Sequence, residues 1–463
     1  MSSLTVTAEA SNLRAESIFR ELVRLSWPIA VSVLSYSLMT FVDTYFVARL
    51  GAAAVGGVGF GGLAAFTTLC FAFGLLRSVK VLVSQENGAG RADSVRAYLG
   101  AGLFLAAGLG VLCSLLALPV AFVLPRLSPT PAVGEIAHSY LLIRALGTLP
   151  VLLGSALREA RYGVGDSRTP MYGAIVANLL HIPLNYLLIF QLGWGIEGAA
   201  WSTVIVQSLE LLWLVRVTAG SGFGLSFARA RHVRDLLRIG FSTGLEFFLG
   251  VSAFTALVAF IARMSEADLA AHQIGIQIIH FAFLPVVAIG EAGSVLAGQA
   301  VGANRDRLVG VVAVRALSLA VAYATCCGLL FAFAPELLLS GFSRDPEVHH
   351  IGLRLLWIAA GFQVFDAVNI VLRAVLRGTG DVRVPATQAV ISSWLFVPTL
   401  TWWFGIHHGM GAAGGWLALT VDIVFGAGFL TVRVLRGAWH SSALASRARM
   451  LAAPEVVSPS LSG

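Results

Sequence analysis

Charge is what this 463-residue chain has least of: Asp, Glu, Lys and Arg make up 12% of it, against 57% hydrophobic residues. A water-facing surface usually carries about 25% charged residues, so a soluble globular protein is excluded, and dividing the chain into several domains does not mend the deficit. Lysine occurs only as Lys80. The four cysteines, Cys70, Cys113, Cys326 and Cys327, stand in apolar stretches without a CxxC pair. That excludes the usual cysteine metal spacings and leaves them as small hydrophobes. A net charge of +7 is small for this length and argues against nucleic acid as a partner. The first twenty residues carry Glu9, Arg14, Glu16 and Arg20 in place of an apolar secretory stretch, so the spans themselves are expected to direct insertion. Gly88-Ala-Gly90 lacks the Lys-Ser/Thr of a phosphate loop. No pair of His at i, i+4 with a Glu suggests an intramembrane enzyme. The expected energy source is an ion gradient, with no cofactor beyond H⁺ or Na⁺ as the coupling ion.

What is present is long apolar sequence. Residues 103–123 and 316–334 contain no charge, and about 20 such residues cross ~30 Å of hydrocarbon as a helix. Punctuation by charge, Gly and Pro gives twelve spans, beginning near Leu25, Val55, Ala97, Ala137, Met171, Gly198, Gly240, Leu269, Leu308, Ile351, Ala386 and Gly411. Arginine in the short loops, Arg158, Arg373 and Arg377 among those on the inner side, favours that side by about five to one, which places both termini in the cytoplasm. The reading is therefore an all-α, multi-pass membrane protein. It has a cytoplasmic tail (1–22), an N-lobe (23–218), a cytoplasmic linker (219–236), a C-lobe (237–437) and a second cytoplasmic tail (438–463).

An internal repeat sets the architecture. Phe46-Val-Ala-Arg49 recurs as Phe260-Ile-Ala-Arg263, and Gln85-Glu-Asn-Gly-Ala-Gly-Arg91 as Gln299-Ala-Val-Gly-Ala-Asn-Arg305, both 214 residues on. Gly165-Asp-Ser-Arg-Thr-Pro170 recurs as Gly380-Asp-Val-Arg-Val-Pro385, Pro183 as Pro398 and Trp201 as Trp416, each 215 residues on. Units with an even number of spans enter the membrane in the same sense. Two six-helix lobes related by an axis along the bilayer normal follow, with the substrate site expected between them.

At this point the sequence resembles the multidrug and toxic compound extrusion (MATE) family of the MOP flippase superfamily. The likeness runs over roughly residues 25–436. It is carried by Phe41-Val-Asp-Thr-Tyr-Phe-Val-Ala-Arg-Leu-Gly51, Ala270-Ala-His-Gln273, Val295-Leu-Ala-Gly-Gln-Ala-Val-Gly-Ala-Asn304, Asp366-Ala-Val-Asn369 and Leu376-Arg-Gly-Thr-Gly-Asp381. The resemblance implies two lobes forming a V in a bacterial inner membrane, and no enzyme activity. It also implies export of small cationic or amphiphilic compounds in exchange for inward H⁺ or Na⁺. The alternative is a flippase of lipid-linked or anionic substrates. The chain is read as a monomer.

Acids inside the spans are the sequence's own evidence for function, because a carboxylate at the bilayer centre costs about 2.5–3.5 kcal/mol and needs a partner, a water cavity or a proton. Asp43 lies near the outer end of the first span and matches the family's first-span Asp, to which ion or proton coupling is assigned. The alternative is a permanent salt bridge. Asn178, His181 and Asn185 fall at i, i+3 and i+7, on one face of the fifth span. The corresponding stretch lines the N-lobe cavity in the family, and some branches carry Asp where Asn185 stands. Glu246 in the seventh span and Asp366 in the tenth are read as ion-coupling or cation-binding acids, including a Na⁺ site at Asp43 or at Glu246 with Asp366, against a structural pairing role. Arg77, Lys80 and Glu291 are expected to form a charge cluster across the inter-lobe cleft, since Arg77 and Glu291 are repeat mates. Asp422 and Glu210 are assigned to structural pairing.

Overall fold

A computed structural model describes residues 17–220, 229–343 and 345–452. Glu9, Arg14, Glu16, Arg344, residues 221–228 of the expected linker and residues 453–463 lie outside the described residues. The N-terminal lobe comprises α1 (Ile18–Ala48), α2 (Ala52–Gly88), α3 (Ala92–Leu127), α4 (Pro131–Leu146), α5 (Thr148–Gly163), α6 (Arg168–Tyr186) and α7 (Gly195–Gly220). The C-terminal lobe comprises α8 (Ala230–Ile261), α9 (Glu266–Gly302), α10 (Asp306–Phe333), the short α11 (Pro335–Leu339), α12 (Pro346–Gly378), α13 (Arg383–Leu400) and α14 (Ala412–Leu435). A final helix, α15 (His440–Leu451), follows. Among the described residues eleven helices are long and apolar enough to cross a bilayer, and α4 with α5, bent by 50° at Gly147, makes a twelfth when the pair is taken as one span. Among the described residues there is no strand. Large apolar side chains such as Phe104 and Phe122, 67% and 66% exposed, stand on the outside of the bundle, as expected where the surrounding solvent is lipid.

The helices overrun the hydrocarbon. At 37 residues, α2 and α9 are about 55 Å long at 1.5 Å per residue, so segments that look like loops from charge alone are helix ends. Thus α8 begins at Ala230, inside the stretch read as linker, and α15 occupies part of the stretch read as a tail.

The repeat is visible in the backbone. Gly165 and Gly380 turn at φ 87° and 89°, and Gly90 and Asn304 at 72° and 57°, left-handed values that glycine and, next best, asparagine accept. The turn that follows Pro183 and the one that follows Pro398 both widen into π-helix, Leu187–Gln191 and Thr401–His407, as local rearrangements near a proline allow.

Each lobe lends its first helix to the other. Leu22 and Leu25 of α1 are buried in the C-lobe core with Val295, Val309 and Val371, while their repeat mates Leu236 and Ile239 of α8 are buried in the N-lobe core with Val79, Leu99 and Leu157. The far halves of both helices return to their own lobes, Phe46 and Val47 beside Ile189, and Leu257 and Ile261 beside Trp416. The seam between α2 and α9 closes at one end. Gln85 Nε2 donates to the Gly378 carbonyl at the end of α12 (2.9 Å), and its mate Gln299 donates to the Gly163 carbonyl at the end of α5 (3.2 Å). Both bonds satisfy carbonyls that a helix end leaves without a partner. Gly88 lies against the Gln299 backbone and its mate Gly302 against the Gln85 backbone, too close for any Cβ. Across this closed end α15 touches both lobes: Arg449 donates to Gln85 Oε1 (2.6 Å), Arg91 to the Met450 carbonyl, and Arg447 to both oxygens of Asp306 (2.6 and 2.9 Å).

Candidate functional site

Two of the polar centres in the spanning helices differ in kind. The first lies inside the N-lobe. Asp43, on the last three turns of α1, is buried against α6 and α7. Its Oδ1 meets His181 Nε2 at 2.8 Å and accepts a hydrogen bond from Asn185 Nδ2 at 2.6 Å, and its Oδ2 faces Thr203 Oγ1 at 3.4 Å. Ser202 donates to Asn185 Oδ1, so the amide's nitrogen is the end turned to the carboxylate. His181 and Asn185 are fully buried, and His181 Nδ1 has no hydrogen-bond partner among the described residues. Among the described residues no Arg or Lys forms an ion pair with Asp43, the alternative weighed for it. Asn178 shares the face but turns back to the Ala174 carbonyl (3.1 Å) and does not join the cage.

The repeat mates of Asp43, His181, Asn185 and Thr203 are Leu257, Phe396, Leu400 and Ala418. The C-lobe therefore has no counterpart of this cage, although its backbone is a copy.

The second centre is an ionic chain between the lobes. Lys80 of α2 is buried and paired with Glu291 of α9 and with Glu159 of α5, the latter at 3.0 Å. Arg377 of α12 reaches Glu291 at 3.7 Å and Glu246 of α8 at 4.0 Å, and Arg373 holds Glu246 at 3.0 Å and Asn369 at 2.7 Å. Glu246 is thus held by two arginines. The expected cluster forms around Lys80 and Glu291, with one correction: Arg77 is not within ion-pair distance of Glu291 and instead lies over the Phe247 ring of α8, 5.0 Å from its centroid. Three residues of helix turn a side chain by about 60°, so Arg77 faces α8 while Lys80 faces α5 and α9. Asp366 makes no hydrogen bond or ion pair among the described residues, and Asp422 accepts from Ser392 (2.6 Å) and Ser393 (2.7 Å). A cleft of about 530 Å³ opens above the ionic chain, lined by Phe66, Arg77, Glu246, Phe247, Phe254, Arg373 and Ser393 among others.

The pattern of the MatE family matches residues 28–187 and again residues 243–403, one match per lobe and together most of the chain. The chain belongs to the MatE family. Its MATE relatives include a probable multidrug resistance protein NorM of Burkholderia pseudomallei, 30% identical over 450 residues that cover 92% of this chain and 93% of the relative. The protein of the same name from Agrobacterium fabrum is 29% identical over 439 residues, covering 90% and 93%. The fold is shared with a solved structure described as the outward-facing conformation of a multidrug resistance MATE family transporter of the MOP superfamily, at 19% identity, TM-score 0.83 and coverage of 92% and 99%.

Within this MATE chain, sequence reasoning missed five partners. Thr203 completes the Asp43 cage, Glu159 completes the Lys80 pair, and Arg373 and Arg377 were assigned to a cytoplasmic segment although α12 runs to Gly378. Arg158, likewise placed in a loop, sits on α5, stacks over Tyr36 of α1 and pairs with Glu210 of α7 at 3.1 Å. Glu210, assigned to structural pairing, is thus held by Arg158 and Tyr36. Apolar length and punctuation by charge, Gly and Pro mark the spans, and using charge as punctuation puts the arginines of overhanging helical turns into loops.

Proposed function

We propose that this chain is a secondary active exporter of small amphiphilic compounds, driven by protons that enter through Asp43 while the two lobes alternate access. The observation that carries the reading is the contrast among the buried acids. Glu159, Glu210, Glu246 and Glu291 are each neutralised by Arg or Lys, and such a pair holds its charge in either conformation. Asp43, like Asp366 and Asp422 of the C-lobe, has no Arg or Lys partner among the described residues, but of these three it alone is buried, so gaining a proton changes the net charge of the N-lobe interior.

The cage has room for that proton at one atom. Oδ1 already faces two nitrogens, whereas Oδ2 meets only the Thr203 hydroxyl, which can accept as well as donate. A proton on His181 would add an Nδ1–H with nothing to receive it. A hard cation prefers a shell of oxygens, and the nitrogens converging on Oδ1 favour H⁺ over Na⁺. The apolar mates of the cage in the C-lobe, Leu257, Phe396, Leu400 and Ala418, support placing this chemistry in the N-lobe. With the Gln85/Gln299 end taken as cytoplasmic from the arginine bias, the conformation described here is open to the outside, and Asp43 lies in the outer half of α1, where external protons arrive. Cargo and proton move the lobes only through their different affinities for the two conformations. The relatives' multidrug-resistance names support this class of cargo, and a cleft of about 530 Å³ is drug-sized.

The test is efflux of ethidium from proteoliposomes under an imposed pH or Na⁺ gradient. The pH gradient alone should drive wild type, and Asp43→Asn should be inert. Equal efflux by both proteins would remove Asp43 from the mechanism.

A further inference from the structure

The cations of the inter-lobe ionic chain outnumber its carboxylates. Glu159, Glu246 and Glu291 face Lys80, Arg77, Arg373 and Arg377, and the contacts decide which cation is left over. Lys80 is taken by Glu159 and Glu291, Arg377 by Glu291 and Glu246, and Arg373 by Glu246. Arg77 makes no hydrogen bond or ion pair among the described residues. It packs its guanidinium over Phe247 and lines the cleft. A guanidinium presents five N–H donors in a planar fork suited to a carboxylate or phosphate, and this one, half-buried on the cleft wall with none of those donors hydrogen-bonded to the described residues, is free to take an anion. Asp366 and Asp422 do not line this cleft. Asp422 stands behind the Ser393 hydroxyl, which donates to it. Phe66, Phe247 and Phe254 supply the apolar wall beside Arg77.

We infer that the cleft binds amphiphiles through an anionic group, a carboxylate or its equivalent, held by Arg77 while the ring system lies against the phenylalanines. The inference rests on the export reading only in taking the cleft as the cargo site, and it adds a class that a purely cation-selective exporter would refuse. The rest of the cargo is free to carry positive charge, so zwitterions fit.

The probes are an aminoxanthene dye with a free benzoate and the methyl ester of the same dye, which differ in one negative charge at nearly constant shape. Binding is read by fluorescence anisotropy on the full chain in detergent. Wild type should bind the acid about ten-fold more tightly than the ester, the worth of one charge-assisted hydrogen-bond pair. In Arg77→Gln the ratio should fall to about one, and in Arg77→Lys, which keeps the charge and loses the fork, most of the preference should return. A single monodisperse peak on size exclusion shows that each variant is folded. An anionic lipid headgroup offers the same chemistry, so the acid is then competed with phosphatidylglycerol and with phosphatidylcholine. Displacement by the first alone identifies lipid as an occupant of the Arg77 site, and displacement by neither identifies the soluble amphiphile. A wild-type preference for the ester, or a preference for the acid that survives in Arg77→Gln, would overturn the inference and leave proton-driven efflux standing. Failure of both dyes to bind would overturn it too, and only a simultaneous loss of ethidium efflux would bring down the export reading with it.

Discussion

Replacing Lys80 by methionine probes the ionic chain at the point where the two lobes are tied. Lys80 is 1% exposed and serves two acids from different lobes. Removing it leaves Glu159 with no cation within 4 Å among the described residues, while Glu291 keeps Arg377 at 3.7 Å. Stripping one partner from a buried pair costs roughly 3–5 kcal/mol, because the desolvated charge stays behind. Neutralising the stranded acid should return most of that. Lys80→Met with Glu159→Gln is expected within about 1–2 kcal/mol of wild type, since two well-packed neutral groups often replace a buried pair without loss. Glu291→Gln alone should cost less than Lys80→Met, because Lys80 keeps Glu159 and Arg377 keeps Glu246. The assay is equilibrium unfolding in mixed micelles, followed by tryptophan fluorescence, for wild type, the two single variants and the double variant. A Lys80→Met cost under about 1 kcal/mol, or a double variant no more stable than the single, would refute the claim that Glu159 depends on Lys80 for its counter-charge.

Three further outcomes are expected. Gly88→Ala would put a Cβ 2.6 Å from Gln299 Cα, and since backbone cannot yield, the seam should open at a cost of about 1–3 kcal/mol. A cysteine introduced at the buried Ser84 in a background lacking the other four should then label several-fold faster with a water-soluble maleimide. His181→Phe, which installs the residue found at the C-lobe mate, removes the 2.8 Å contact to Asp43. Efflux should fall at least about ten-fold, with partial recovery in His181→Gln, for a lost hydrogen bond of about 1–3 kcal/mol. Arg447→Ala deletes the two bonds to Asp306 at a partly exposed site. It should cost no more than about 1 kcal/mol, seen as faster hydrogen exchange in α15 with the spans unchanged.

Architecture was legible because it is written at two scales that a bilayer enforces. Apolar runs of span length gave twelve crossings, and the 214–215 offset gave the two lobes. The same offset drew attention to Gln85 and Gln299 but not to their task, since the carbonyls they cap belong to the opposite lobe and no local pattern points across a seam. Asp43 and the His181/Asn185 face were readable as polar positions on helical stripes, and Thr203 was not, because a lone threonine in a span carries no signal. Pseudo-symmetry brought Arg77 to the right layer but to the wrong neighbour. An offset fixes where a Cα lies, and the direction of the side chain depends on rotation about the helix, which separates Arg77 from Lys80. Arg158, Arg373 and Arg377 were misplaced for a third reason: their helices extend past the hydrocarbon, where charge no longer marks an end.

The most direct measurement of the central claim is proton release from purified protein on addition of cargo, followed with a pH-sensitive dye in weakly buffered detergent solution near neutral pH. If protonation of Asp43 and cargo binding exclude one another, wild type releases protons when ethidium is added and Asp43→Asn releases none. Equal release by both proteins, or cargo binding by wild type with no release at any pH, would contradict the account.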